Sequence, residues 1–145
     1  MGNSIGTRNA LDAGLLVLRI GVGIMFVLHG APHLGGGVEK WTQLGEAVSV
    51  FGITFCPAFW SFMGSFSEFP GGIMLVLGLL FRPFCVLLVI TMIVAAALHI
   101  SQGDGFIAAS HAAEMGIVFF SMLISGPGRW SVSRIIPPLR NRVWG

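Results

Sequence analysis

The chain has 145 residues, of which 54% are hydrophobic and only 10% are charged, and its mean hydropathy is +0.87. Soluble domains carry about 25% charged residues, so this chain lacks the polar groups needed to cover a globule in water. Its net charge of +2 is too small to indicate nucleic-acid binding, and two cysteines are too few for a disulfide scaffold. The composition therefore predicts a single domain, residues 1–145, that lies in a lipid bilayer.

Four apolar runs are long enough to cross a bilayer, which takes about 20 residues of helix. They cover about residues 13–31, 58–81, 83–100 and 106–125, and the last three are separated by short segments rich in turn residues. Because short connections make neighbouring helices antiparallel, we expect an all-α membrane protein, an antiparallel bundle of four transmembrane helices. The longer first connection repeats apolar residues at helical spacing, which predicts a short amphipathic helix in the first outer loop.

The basic residues indicate how the bundle sits in the membrane. Lys40 stands alone at one side of the predicted bundle, whereas six arginines flank the span ends on the other side: Arg8, Arg82, Arg129, Arg134, Arg140 and Arg142. Because loops rich in Lys and Arg stay in the cytoplasm, we expect a multi-pass protein of the inner (cytoplasmic) membrane with both termini cytoplasmic. Residues 129–145 then form a basic cytoplasmic tail that can contact anionic lipid or a partner protein.

Three ionisable residues, Arg19, Glu68 and Glu114, fall inside the predicted spans at similar depths. A charge at the bilayer centre costs about 2.5–3.5 kcal/mol on insertion scales, so each of them requires a partner or a function. We expect Arg19 and Glu68 to form a buried ion pair, and a purely structural role for that pair is an equal alternative. Two carboxylates in one low-dielectric site cannot both ionise easily, so Glu68 or Glu114 is a candidate proton donor or acceptor.

All four histidines of the chain fall toward the outer half of the predicted bundle: His29, His33, His99 and His111. Histidine titrates near neutral pH, and His111 precedes Glu114 by three residues on the same face of a helix. These positions predict a polar pocket that opens outward, with Arg19 and Glu68 at its floor. For any one histidine, the alternative is a polar helix end in contact with lipid headgroups.

A set of short motifs follows in a fixed order along the chain. They are Arg19, His29-Gly30, Glu68-Phe-Pro-Gly71-Gly72, Leu75-Val-Leu-Gly78-Leu-Leu-Phe-Arg82, Glu114 and Gly126-Pro-Gly128. Their order and spacing resemble the DoxX family of small four-helix membrane proteins over roughly residues 12–133, with His33 standing where members often carry Lys. The resemblance implies a quinone-linked oxidoreductase role, because relatives include the membrane subunits of thiosulfate:quinone oxidoreductase.

On this interpretation the chain is an integral membrane subunit of a quinone-linked oxidoreductase. Quinone reduction needs an apolar slot, hydrogen-bond donors at the carbonyl groups and a supply of protons. The candidate proton carriers are Glu68, Glu114, His99 and His111. The candidate contacts to the quinone are His29, Trp60 and Phe66. Arg19 would stabilise developing negative charge, and packing against lipid or core is the alternative for the aromatic residues.

Two other classes of function stay open. Four histidines in one leaflet can bind copper or zinc, or supply axial ligands to a haem, and the candidate metal ligands are His29, His33, His99 and His111. The i, i+4 spacing of the first two suits one ion, although Pro32 predicts that the helix ends before His33.

The third class is a non-catalytic scaffold or anchor subunit. The sequence has no nucleotide-binding loop and no redox Cys-x-x-Cys, so electrons would have to come from a partner or a bound cofactor. We therefore expect contacts with membrane lipids and with other protein subunits or further copies of the chain.

Overall fold

The structure is a computed structural model that describes residues 3–136, and within that range every regular element is helical. Its α-helices are α1 (Asn3–Leu34), α2 (Gly37–Gly45), α3 (Pro57–Leu77), α4 (Phe81–Gln102), α5 (Phe106–Ser125) and α6 (Val132–Ile135). A 3₁₀ helix, Glu46–Phe51, continues α2. The predicted all-α class is confirmed, whereas Arg140 and Arg142 of the predicted basic tail lie outside the described residues.

Within residues 3–136, three segments are long and apolar enough to cross a membrane: Gly6–Leu34, Phe81–Gln102 and Phe106–Ser125. They correspond to the first, third and fourth predicted spans. The second predicted span forms α3, a helix of 21 residues whose polar side chains Ser61, Ser65, Ser67 and Glu68 are buried against its neighbours. Because these polar groups are buried, α3 can lie at the centre of the bundle although its hydropathy is lower than that of the three candidate spans. Its crossing of the membrane stays a prediction.

Helix α3 ends at Leu77 instead of continuing to residue 81 as predicted. Gly78 adopts φ +66°, and its N–H donates to the Leu75 carbonyl at 3.1 Å, which is a typical glycine helix end. A β-carbon at Gly78 would clash with the Arg19 guanidinium, so the close packing there also requires glycine. By contrast, neither Pro32 in α1 nor Pro70 in α3 ends its helix, because neighbouring helices hold the backbone in place despite one lost hydrogen bond.

The helices pack in a row that closes only partly. Helix α3 packs against α1 on one side and against α4 on the other, α4 packs against α5, and α2 lies on α3. Helices α1 and α5 touch locally through the rings of Phe26 and Phe119, whose centroids are 4.7 Å apart in an edge-to-face arrangement. A buried apolar core surrounds this contact and includes Leu75, Phe81, Leu88 and Met122.

The bundle has two chemically different ends, which we call the histidine end, where α1 and α4 end and α5 begins, and the arginine end opposite. At the arginine end, the Arg19 guanidinium donates to the carbonyl of Pro127 at 2.9 Å and to that of Trp130. The predicted Arg19–Glu68 ion pair is therefore wrong. The carbonyls that follow α5 have no helical N–H partners, and the buried guanidinium, 3% exposed, is bound to them instead.

Candidate functional site

Glycines bring α1 and α3 into backbone contact beside the candidate site. A β-carbon at Gly30 would lie 2.6 Å from the Phe69 nitrogen and 2.8 Å from the Glu68 β-carbon. Further toward the arginine end, Gly23 of α1 and Gly72 of α3 approach each other just as closely. A β-carbon on either glycine would clash with the carbonyl oxygen of the other. Small residues at such positions let transmembrane helices approach closely, and here they place the Glu68 carboxylate beside α1.

Two histidines of α1 converge on that carboxylate. His33 Nδ1 lies 3.3 Å from Glu68 Oε2, and the ligand atoms that His29, His33 and Glu68 offer all lie within 4.8 Å of one another. The two imidazole rings meet edge to face with centroids 5.3 Å apart. Glu68 is buried, His33 is half-buried and His29 is exposed, so the cluster reaches from the bundle interior to its surface.

A hydrogen bond from α2 holds the end of α1 that carries His33. The Trp41 indole Nε1 donates to the His33 carbonyl at 2.8 Å, and Lys40 Nζ donates to the Pro32 carbonyl at 3.4 Å. The His33 carbonyl also accepts from the Gly36 N–H at 3.2 Å, so Trp41 adds a second hydrogen bond at the end of α1. Sequence reasoning missed Trp41 as a positioning residue; an indole N–H donor within the apolar stripe of a short helix was the available signal.

A cavity of about 690 Å³ lies beside this cluster, between α1, α4 and α5. Its apolar walls are formed by Val22, Met25, Phe26, Met92, Ala112 and Met115. Its polar groups gather toward the histidine end and are His29, Glu68, His99 and His111. Because α1 and α5 touch only locally, the cavity opens between them, where the Met25 side chain is 65% exposed.

The wall opposite α1 carries a second polar pair. His99 Nδ1 lies 2.7 Å from Asp104 Oδ2, and both side chains are partly exposed at the histidine end. His111, at the start of α5, is exposed and borders the same cavity. The structure thus brings His29, His99, His111 and Glu68 to one cavity, while His33 contacts Glu68 beside it.

Other predicted site residues lie elsewhere. Glu114 is exposed on α5, does not line the cavity and forms no ion pair within residues 3–136, so it does not share a site with Glu68. Trp60 donates to the Phe55 carbonyl at 3.0 Å, near the start of α3. Phe66 packs against the rings of Phe62 and Phe84, away from the cavity. Arg19 lies at the arginine end, as described above.

These features define a class: a small α-helical membrane protein with an apolar cavity that has acid and imidazole groups at one end. Comparison with known proteins gives the family, because the DoxX family model matches residues 14–100. The chain belongs to the DoxX family. The match runs from Gly14 within α1 to Ile100 near the end of α4, and therefore includes His29, His33, Glu68 and His99. No curated protein and no solved structure matches the chain.

Proposed function

We propose that this protein is the membrane subunit of a quinone-linked oxidoreductase and that the quinone ring binds in the cavity between α1, α4 and α5. One observation carries the proposal: the cavity combines apolar walls with carboxylate and imidazole groups at one end. Small-molecule sites have this composition and a volume of about 300–1,000 Å³, so about 690 Å³ suits a quinone ring and the start of its tail.

The opening between α1 and α5 supports access from the bilayer. Quinones with long apolar tails dissolve in the hydrocarbon region, and a ligand of this kind can enter sideways with its tail remaining in lipid. The exposed Met25 side chain lies at this opening, and Phe26 lies deeper within the cavity. A water-soluble substrate would gain nothing from such an entrance, so the direction of the opening favours a lipid-soluble ligand.

The polar end supplies the groups that quinone reduction needs. Conversion of a quinone to its quinol consumes two electrons and two protons, one proton at each carbonyl oxygen. Glu68, His29 and His111 border the cavity and can donate hydrogen bonds or protons to a carbonyl oxygen there. His99 borders it as well, and its contact with the half-exposed Asp104 offers a route for protons from water at the histidine end.

Electrons reach the quinone from a partner subunit that carries a redox cofactor, because this sequence has no nucleotide-binding loop and no Cys-x-x-Cys. The outward face of α5 supports such a contact. Glu114 is exposed there within a candidate membrane span, where an unpaired charge in lipid costs several kcal/mol. A polar group on a partner helix would remove that cost.

The proposed subunit crosses the membrane four times, with α3 as the second crossing. Arg8, Arg82, Arg129 and Arg134 then lie at the arginine end, and Lys40 lies at the histidine end. By the positive-inside rule, the arginine end faces the cytoplasm and both termini are cytoplasmic, as expected for a protein of the inner membrane. The polar end of the cavity then faces the outer side.

A binding experiment with variants on one helix tests the site. We would measure the Kd of a short-chain benzoquinone, decylubiquinone, for the protein in lipid nanodiscs. Ala108→Phe fills the cavity and should abolish binding, whereas Ala113→Phe adds the same ring in the groove between α4 and α5, outside the cavity, and should leave the Kd unchanged. His111→Ala should raise the Kd about tenfold, the effect of one lost hydrogen bond.

Turnover gives the second readout. In the complex purified from native membranes, His111→Ala and Glu68→Gln should lower quinone-coupled turnover, while Ser121→Ala, on the exposed face of α5, should not. Unchanged turnover in both cavity variants would overturn the proposal. A protein that assembles with its partner but binds no quinone would instead be a scaffold or anchor subunit.

A further inference from the structure

We propose that His29, His33 and Glu68 bind one divalent transition-metal ion, such as Zn²⁺ or Fe²⁺, at the side of the cavity. Two imidazoles and a carboxylate from two different helices converge there, with all three ligand atoms within 4.8 Å of one another. The inference stands without the proposed quinone reaction. With the ion bound, Glu68 and His29 are its ligands, and His99 and His111 remain as the proton donors at the cavity.

The distances are close to those that a metal ion requires. Metal–ligand bonds of about 2.0–2.1 Å in a tetrahedral site place neighbouring ligand atoms about 3.4 Å apart. His33 Nδ1 and Glu68 Oε2 are already 3.3 Å apart. The remaining ligand, His29, is exposed, so its side chain can rotate. A rotation that moves its ring nitrogen by roughly 1.5 Å would bring all three ligand atoms to the distances of a tetrahedral site.

The backbone holds the two imidazoles in register. Helix α1 continues through Pro32 to Leu34, so His29 and His33 lie one turn apart on one face, a spacing that metal-binding helices use. Gly30 lies between them and lets α3 approach to backbone contact, which brings Glu68 to the same face. The Trp41 hydrogen bond to the His33 carbonyl fixes the last turn of α1.

Charge supplies an independent reason. The Glu68 carboxylate is buried in an apolar bundle, and a buried carboxylate without a positive partner is strongly unfavourable. The guanidinium expected to balance it, Arg19, binds carbonyls at the arginine end instead. Within residues 3–136 the ion-pair partner of Glu68 is His33, so a cation held by the imidazoles and the carboxylate would balance the charge.

The ligand types select the metal. Ca²⁺ and Mg²⁺ prefer sites made of oxygen atoms, whereas two imidazoles with one carboxylate suit Zn²⁺ or Fe²⁺ and leave coordination positions open. Because Glu68 and His29 also line the cavity, an open position would face the space in which a ligand oxygen or water can bind.

Metal content of the purified protein tests the proposal. The protein, prepared without a histidine tag, is stripped with chelator and loaded with Zn²⁺, and bound zinc is measured by mass spectrometry after gel filtration. We expect one Zn²⁺ per chain and a visible absorption spectrum of four-coordinate type when Co²⁺ replaces it. His29→Ala, His33→Ala and Glu68→Gln should each reduce the metal affinity at least about 100-fold.

His99→Ala is the matched control, because His99 lies in the same half of the bundle but outside the three-residue cluster. It should keep one Zn²⁺ per chain. Zinc far below one equivalent in the wild type, or an equal loss in the His99→Ala variant, would overturn the proposal. If Glu68→Gln does not fold, the metal content of His29→Ala tests the site instead, because His29 is exposed and its replacement should leave the fold intact. A wild-type protein that takes up no Zn²⁺ but binds decylubiquinone would overturn this proposal and leave the proposed function standing.

Discussion

Gly30 of α1 and Glu68 of α3 lie in direct contact, so close that a β-carbon at position 30 would come within 2.8 Å of the Glu68 β-carbon. This approach determines where the only acid buried among the described helices meets the imidazoles of α1. The His-Gly and Gly-Gly motifs of the sequence therefore have a shared structural meaning, since each removes side-chain atoms from the interface between α1 and α3.

Substitution Gly30→Ala should separate α1 from α3. The added methyl group meets the Phe69 backbone nitrogen at 2.6 Å, so the backbone itself has to move, and overpacking of this kind costs about 1–3 kcal/mol. Thermal unfolding in detergent measures the loss. Gly14→Ala is the control, because nothing lies within 4 Å of its new methyl group and α1 should lose no stability. Equal unfolding midpoints for the two variants would show that the contact is not tight.

The hydroxyls of Ser67 and Thr91 join α3 to α4 at 2.6 Å. A double-mutant cycle of Ser67→Ala and Thr91→Val should give a coupling energy of about 0.6 kcal/mol and no more than about 1.7 kcal/mol, the range found for hydrogen bonds between membrane helices. Reversible unfolding in mixed detergent measures it. Strictly additive effects of the two substitutions would contradict the bond.

Arg19 should act as a structural residue at the arginine end. Arg19→Met removes the donors to the Pro127 and Trp130 carbonyls, and two carbonyls left without partners cost about 2–4 kcal/mol. The unfolding midpoint should fall, and amide exchange across residues 126–131 should accelerate. Arg134→Met, at an exposed position of the same end, is the control and should change neither measurement. Faster exchange near His29 instead would mean that Arg19 contacts the site after all.

Labelling of cysteines at the two ends of α3 tests whether this helix crosses the membrane, and in which direction. Cys56 is exposed before α3, and Cys85 is buried, so a membrane-impermeant maleimide should modify Cys56 alone. In intact cells, we expect labelling of Cys56 from the outer side. In a Cys56→Ser background, Leu80→Cys places a cysteine in the turn after α3. The maleimide should label it only after the cells are permeabilised. Labelling of both positions from the same side would mean that α3 does not cross.

The sequence by itself determined the helical class, three of the four predicted spans and the family, because hydropathy and short motifs are local properties of the chain. It also indicated that the histidines fall toward one end of the bundle, since that follows from the alternating direction of antiparallel helices. Depth counted along a helix did not determine which charged groups meet. Arg19 and Glu68 are separated because loop carbonyls after α5 bind the guanidinium, a contact more than 100 residues away in the chain.

Only the tertiary structure decided which way each side chain faces. Glu114 points outward and Phe66 packs among other rings because the rotation of each helix depends on all of its neighbours at once. The cluster of His29, His33 and Glu68 likewise depends on how closely α1 and α3 approach at Gly30, a distance that residue spacing does not encode. Side-chain spacing selects the residues that can meet, and helix packing selects those that do.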